Sequence, residues 1–137
     1  MRSMGFLGKK PAAPARPTTR ALGEHAEQQA LQHLQAAGLR LLQRNYRTPG
    51  RGGGEIDLIM RERDGTVVFV EVRQRRANTH GGAAASVGVG KQARIVLAAR
   101  HYLMRQATLP PCRFDVVSVE GDAPGTVHWL QAAFDAS

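Results

Sequence analysis

"GGGEIDLIMRERDGTVVFVEVRQR", residues 52–75, contains two apolar segments that each carry an acidic side chain. The first segment contains Asp57 and the second contains Glu71. An unpaired carboxylate buried in a sheet costs several kcal/mol, so folding alone does not favour an acid at either position. The two acids therefore predict a charged neighbour, and the identity of that neighbour bears directly on function.

The two segments have the patterns of adjacent β-strands. In residues 55–62, alternation predicts that Ile56 and Leu58 share one face of the sheet while Asp57 points to the other. Residues 66–74 are rich in β-branched side chains, which is typical of a strand covered on both faces. Because "RDG" between them favours a tight turn, we expect the two strands to form a hairpin.

The remaining elements follow from periodicity and from Gly and Pro. A first helix is predicted over residues 22–37, ended by Gly38, and a strand over residues 39–47. A second helix is predicted over residues 91–107, before two prolines, with short strands at residues 113–120 and 126–131. The order α-β-β-β-α-β-β predicts an α/β fold: a three-layer sandwich with a central mixed β-sheet flanked by helices, the second helix forming a parallel crossover.

The net charge is distributed unevenly along the chain. The 137 residues suffice for one domain, and the formal charge is +8. Residues 1–20 hold five basic residues and no acid, which leaves +3 for residues 21–137. Residues 1–20 are rich in Pro and Ala and are predicted to be a disordered basic tail, with the domain spanning residues 21–137. The tail either touches nucleic-acid phosphates or is a solvated extension without a specific role.

The cysteine content and hydropathy predict the compartment. The single cysteine, Cys112, cannot form an intramolecular disulfide, which indicates a reducing environment. No apolar run approaches the roughly 20 residues needed to cross a bilayer, and the first 20 residues do not resemble a signal peptide. We therefore expect a cytoplasmic protein with no membrane partner.

The predicted hairpin brings a small group of charged side chains together. Asp57 lies on one strand and Glu71 on its neighbour, and Arg73 shares the face of Glu71 because it lies two residues further on. Carboxylate oxygens are ligands that suit Mg²⁺ or Mn²⁺, and an ion held in this way could polarise a scissile phosphate. Glu24, on the first helix, is a candidate third carboxylate, and Lys91 is a candidate positive charge near the sheet.

Structural interpretations of the same residues remain open at this point. The two strand acids could form ion pairs with Arg73, Arg75 or Lys91 and serve only the fold. Glu24 could be an acid that is favourable in the first turn of a helix, and Lys91 could be an ordinary solvated side chain. Residue types alone do not decide between these interpretations and a metal site.

Five blocks of the sequence, taken in order, resemble the YraN family of small bacterial proteins. They are "GEHAEQQALQHLQAAGLRLLQRNYR", "GGGEIDLIM", "VVFVEVRQR", "GGAAASVGVGKQARIVLAARHYL" and "RFDVV". The resemblance covers the chain from about residue 21 to its end and leaves only the basic tail outside.

The resemblance implies a restriction-endonuclease-like fold, similar to archaeal Holliday-junction resolvases. In such nucleases an acid on the first helix, an Asp on the second strand and Glu-x-Lys on the third strand bind divalent metal and cut phosphodiester bonds. The matching positions here are Glu24, Asp57, Glu71 and Arg73. Arg73 departs from the usual Lys: it stays protonated and cannot accept a proton from water, although it can clamp a phosphate oxygen.

The resemblance thus implies a Mg²⁺-dependent endonuclease that acts on DNA, branched or otherwise structured, as a homodimer that cuts two symmetric strands. The expected metal ligands are Asp57, Glu71, Glu24 and the backbone carbonyl of Val72, and Arg73 and Lys91 are expected to stabilise phosphate charge. The expected contacts to the nucleic-acid backbone are the Gly-rich loop after the third strand and four basic residues: Arg75, Arg76, Lys91 and Arg94. The alternatives are a non-catalytic nucleic-acid-binding or assembly module that retains the fold, and a structural partner of a larger complex.

Overall fold

The computed structural model describes residues 18–75, 87–121 and 126–136. The expectations for most of the basic tail, for Arg76 and for most of the Gly-rich loop fall outside these ranges. The elements are α1 (Thr19–Ala36), β1 (Arg40–Arg47), β2 (Glu55–Arg61), β3 (Val67–Arg75), α2 (Val89–Leu103), β4 (Cys112–Glu120) and β5 (Thr126–Phe134). This order confirms the predicted α/β arrangement.

The five strands form one mixed sheet in which their order in space follows their order in the chain. Strands β3 and β4 are parallel, and the other neighbouring pairs are antiparallel. The helix α2 connects the parallel pair, as the predicted crossover requires. One apolar cluster joins α1 to one face of the sheet and a second joins α2 to the other, so the three-layer arrangement is also confirmed. No helix in the described ranges is long and apolar enough to cross a membrane.

The bounds of α1 follow from its two end residues. The hydroxyl of Thr18 accepts a hydrogen bond from the backbone N–H of Ala21 at 3.0 Å, which caps the first turn. Gly38 follows the helix with a φ of +101°, a left-handed conformation that glycine adopts without the steric cost of a Cβ. Between these ends, four residues pack onto the sheet: Ala26, Ala30, Leu31 and Leu34.

Three predicted boundaries are wrong by three residues or more. The helix α1 begins at Thr19 rather than at residue 22, because Thr18 caps it, so residues 19 and 20 belong to the helix and not to the predicted disordered tail. The helix α2 ends at Leu103 rather than at residue 107 because the residues that follow, Met104 to Ala107, are exposed and would bury no apolar side chain in a further turn. The last strand extends to Phe134 rather than to residue 131. Its end is held by the ring of Phe134, which stacks on Phe114 with 5.1 Å between ring centroids.

The predicted alternation in β2 is also wrong at one residue. Leu58 packs in the cluster on the α1 side, as a regular strand requires, but Ile56 packs in the cluster on the α2 side. Two residues of the same strand separated by one position should share a face. The alternation is therefore interrupted at Asp57, the residue between them.

The neighbouring strand β1 shows the matching interruption. Arg44 pairs with Leu58 and reaches a glutamate of α1, whereas Tyr46 pairs with Ile56 and bonds His101 of α2. Asn45, between Arg44 and Tyr46, has a φ of +49°, in the left-handed region. At this point the side chains of both strands change the face of the sheet to which they point. The interruption of the alternation is therefore shared by the paired strands β1 and β2.

Gly54 lies just before β2 and allows α2 to approach the sheet closely. A Cβ at this position would lie 2.1 Å from the backbone oxygen of Arg94 and 2.7 Å from the backbone nitrogen of Ala98. Both atoms belong to the backbone of α2, which cannot give way as a flexible side chain can. Gly54 therefore sets the distance between α2 and the start of β2.

We expect Gly54→Ala to destabilise the protein by about 3 kcal/mol, because the added methyl group forces α2 away from β2. Urea denaturation checks this value. Gly23→Ala is the matched control: a Cβ there meets no atom within 4 Å, and replacing a helical glycine is expected to stabilise by about 0.5–1 kcal/mol. A Gly54→Ala variant as stable as the wild type would contradict the close approach.

Candidate functional site

The two strand acids meet where the ladder between β2 and β3 ends. The ladder pairs residues 58–61 with residues 67–70 and ends at Leu58 and Val70. Asp57 directly precedes Leu58, and its Oδ2 accepts a hydrogen bond from the backbone N–H of Val72 at 2.8 Å. Because the N–H and C=O of one strand residue point to the same edge, the carbonyl of Val72 also faces Asp57. The carboxylate of Asp57 therefore replaces the next step of the ladder.

The carboxyl groups of Asp57 and Glu71 are hydrogen-bonded to each other. Burial raises the pKa of Glu71 to about 8, with the negative charge of Asp57 as the next cause. Burial also raises the pKa of Asp57, although the N–H of Val72 opposes this change. In the absence of a cation, the pair therefore holds a proton near neutral pH.

Lys91, on α2, lies beside the pair, with its Nζ 3.6 Å from Oε2 of Glu71. The charges of Lys91 and Arg73 both lower the pKa of Glu71, but burial and the charge of Asp57 outweigh them. The ion-pair interpretation therefore accounts for the two carboxylates only in part. A cavity of about 440 Å³ adjoins them and is lined by Glu71, Val72, Arg73, Gln74, Gly88 and Lys91.

Two glutamates of α1 lie one turn apart, and only one of them is directed toward the pair. The side chain of Glu27 is 19% exposed, and burial followed by the charge of Asp57 raises its pKa. The side chain of Glu24 is 68% exposed and lies 3.7 Å from Arg20. The structure thus brings Glu27 toward the strand acids and leaves Glu24, the residue chosen from the sequence, at the surface.

The sequence contained a signal for Glu27 that the motif comparison overlooked. Glu27 lies three residues before Ala30 and four before Leu31, both of which are buried against the sheet. Neighbours at these spacings share a helix face, so an acid at position 27 borders the buried stripe.

The described residues contain no group of three or more His, Cys, Asp or Glu side chains that could hold a metal ion by themselves. Asp57 and Glu71 supply two carboxylates, and strand geometry directs the carbonyl of Val72 to the same edge of β3 as the N–H that bonds Asp57. These donors are all oxygen atoms and fit Mg²⁺ or Mn²⁺, which usually keep several positions for water and for phosphate oxygens.

The expected nucleic-acid contacts lie in different places around this cavity. Lys91 lines it, whereas Arg94 is exposed on α2 and its Nε donates to the backbone oxygen of Gly53 at 3.3 Å. Arg75 is the last residue of β3 and pairs with Glu120 of β4. Arg76 lies outside the described residues. The role of these residues in binding nucleic acid stays a prediction.

A helix on each face of a five-stranded mixed sheet, with paired acids where a ladder ends, defines a small α/β protein with an acidic site at the sheet. The chain belongs to the family described as "Uncharacterised protein family UPF0102", whose model matches residues 26–119. This confirms the resemblance to YraN-like proteins. The matched range includes Asp57, Glu71 and Glu27, and it begins after Glu24.

Several bacterial relatives support this membership over nearly the whole chain. A UPF0102 protein of Paracidovorax citrulli is 66% identical over 137 residues, covering 97% of this chain and 99% of that protein. A UPF0102 protein of an Acidovorax species is 65% identical over 136 residues, covering 98% and 100%. A third, from Albidiferax ferrireducens, is 69% identical over 119 residues, covering 87% and 91%.

We expect the stability of the metal-free protein to fall as the pH rises. The pKa of Glu71 is raised from 4.5 to about 8, so between these values the folded state binds more protons than the unfolded state. The stabilisation is complete below pH 4.5 and is lost as the pH rises toward 8. Since one pKa unit corresponds to about 1.4 kcal/mol, the loss should be on the order of 5 kcal/mol.

Urea denaturation in EDTA at acidic and alkaline pH measures this loss, and Glu71→Gln should remove most of it. Glu24→Gln serves as the control because Glu24 is largely exposed, and it should keep the wild-type pH dependence. If Glu71→Gln lost as much stability as the wild type over the same pH range, Glu71 would not be the group that holds the proton.

Proposed function

We propose that this protein is a metal-dependent endonuclease-like protein that acts on DNA phosphodiester bonds, in particular those of branched or otherwise structured DNA. The observation that carries the proposal is the contact between the carboxyl groups of Asp57 and Glu71 beside the backbone N–H of Val72. Two buried carboxylates repel each other unless a proton or a cation lies between them. A divalent cation satisfies the pair more completely than a proton does.

The donor set supports Mg²⁺ or Mn²⁺ as the cation. Asp57, Glu71 and the carbonyl of Val72 would hold it and leave further positions for water and a phosphate oxygen. When bound, the ion would supply Lewis-acid polarisation of the phosphate and a water of lowered pKa.

The chain's own charged residues have separate roles in this proposal. Lys91 and Arg73 line the cavity beside the acids, where they bind phosphate oxygens and stabilise the charge that develops during cleavage. Arg73 acts only electrostatically because its guanidinium cannot accept a proton. Glu27 takes the role of the first-helix acid, since it is the α1 carboxylate on which the charge of Asp57 acts. It orients water beside Asp57.

A second candidate function is a non-catalytic module that binds nucleic acid and retains the fold. Arg73 favours this candidate, because an arginine stands where related nucleases most often have lysine. Lys91, with its Nζ 3.6 Å from Glu71, is the residue that could supply an amine to the site instead. The two functions differ in whether bound DNA is cut.

A cleavage panel tests the proposed activity directly. The substrates are duplex, single-stranded, flap and four-way-junction DNA, each incubated with Mn²⁺. We expect the wild type to cut at least one of them and Glu71→Gln to cut it about 100-fold more slowly, because one metal-binding oxygen becomes an amide. Equal cutting by both proteins would indicate a contaminating nuclease. Tight binding by the wild type without any cutting would favour the non-catalytic module.

The two glutamates of α1 provide a matched pair of variants. Glu27→Gln removes the carboxylate directed toward Asp57, and we expect it to slow cleavage about tenfold or more. Glu24→Gln makes the same chemical change one turn away, at a largely exposed residue, and should leave the rate near that of the wild type. Single-turnover rates of both variants at saturating Mn²⁺ provide the comparison. A large loss in Glu24→Gln with none in Glu27→Gln would restore the assignment made from the sequence.

A further inference from the structure

A second charged cavity lies at the opposite end of β2 from the acids. Its volume is about 440 Å³, and we call it the arginine pocket, lined by Gly38, Arg40, Arg61, Glu62 and Arg63. Arg61 lies four residues along β2 from Asp57, which places their backbones about 13 Å apart at the rise of an extended strand. None of the residues that line it takes part in the site proposed above.

The positive charge of the arginine pocket is not neutralised by its own acid. Glu62 forms an ion pair with Arg113, which is hydrogen-bonded through its Nε to Asp115 at 3.0 Å. Within the part of the chain that the structure describes, the three arginines of the pocket form no ion pair. The pocket therefore presents three guanidinium groups to solvent beside a carboxylate that is already engaged.

Folding alone does not explain why these arginines lie together. Arg40 and Arg61 are directly opposite each other in the β1–β2 ladder, and like charges in such a pair are destabilising. Arg63 approaches from the hairpin, and its guanidinium lies 3.4 Å from where a Cβ of residue 38 would be. Gly38 thus leaves room for Arg63, which brings a third positive charge to the other two.

The hairpin that carries two of the arginines is well held. The backbone N–H of Glu62 donates to Thr66 at 2.9 Å, and that of Gly65 donates back to Glu62 at 3.0 Å. The N–H of Thr66 donates to the carboxylate of Asp64 at 2.9 Å. Arg61 and Arg63 therefore start from a fixed backbone, which lowers the entropic cost of engaging a ligand.

We propose that the arginine pocket binds a phosphate of a nucleic-acid backbone, away from the acidic site. A guanidinium offers paired donors that match the oxygens of a phosphate, and backbone contacts of this kind position a nucleic acid without reading its sequence. One duplex can reach both places, since about 13 Å is well under the roughly 34 Å of one helical turn. The inference rests on the proposed function only in taking nucleic acid as the ligand, because the pocket needs no metal.

The test compares two double variants that each remove two positive charges. Arg61→Gln/Arg63→Gln alters the pocket, whereas Arg100→Gln/Arg105→Gln alters exposed arginines at and just beyond the C-terminal end of α2. Fluorescence anisotropy in EDTA measures binding of duplex DNA between about 50 and 200 mM KCl. We expect the pocket variant to bind about tenfold more weakly at low salt, with a slope of log affinity against log salt reduced by about 1–2. The control should keep the wild-type slope.

Several results would overturn the inference. One is that the pocket variant binds DNA with the affinity and salt dependence of the wild type. Another is that the control variant loses as much DNA affinity as the pocket variant. The third is that the wild type does not bind DNA at the lowest salt concentration. A further experiment measures the thermal stabilisation of the protein by inorganic pyrophosphate. If the pocket variant lost this stabilisation but bound DNA like the wild type, the ligand of the pocket would be a small free anion. Calorimetry with Mn²⁺ separates this inference from the proposed function. An absence of metal binding by the wild type would end the nuclease proposal and leave the DNA result standing.

Discussion

The hydrogen bond from the Val72 amide to the Asp57 carboxylate is the interaction on which the candidate site depends. In an uninterrupted ladder a backbone carbonyl would accept such an amide. Placing a carboxylate there satisfies the amide and brings a negative charge beside Glu71 in a largely buried position. Repulsion and burial make the doubly ionised pair unfavourable, so the pair favours binding of a proton or a cation. The metal-dependent chemistry proposed for the site follows from this preference of the carboxylate pair for a cation.

Ion pairing within the surrounding fold compensates the two carboxylates only in part. The helix α2 is held against the start of β2 by the close packing at Gly54, and it contributes Lys91, whose charge lowers the pKa of both carboxyl groups without cancelling the effect of burial. The helix α1, on the opposite face, contributes Glu27, which adds negative charge rather than removing it. Two helices on opposite faces of the sheet thus direct charged side chains to the same interruption of the β2–β3 ladder.

The sequence predicted the features that depend on local patterns. Strand alternation and the tight turn specified the β2–β3 hairpin, and the hairpin by itself brings Asp57 and Glu71 onto neighbouring strands. The face of Ile56 could not be predicted in this way, because the left-handed conformation of Asn45 on the neighbouring strand leaves no trace in the hydrophobic pattern of β2.

The spacing of Glu27 to Ala30 and Leu31 pointed only weakly to Glu27, and the motif comparison selected Glu24 instead. The choice depends on how the helix is rotated on the sheet, which the packing of Ala26, Ala30 and Leu34 determines. The arginine pocket was missed for a similar reason. It combines the end of α1, the start of β1 and the β2–β3 hairpin, and only the register of β1 on β2 brings them together.

The central claim is that a divalent cation takes the place of the proton shared by Asp57 and Glu71. Calorimetric titration with Mn²⁺ at pH 7, in two buffers that differ in protonation enthalpy, measures this exchange directly. We expect binding that releases close to one proton per ion, since the pKa of Glu71 is about 8, and a loss of that release in Glu71→Gln. Binding with the same heat in both buffers, or no binding at all, would contradict it.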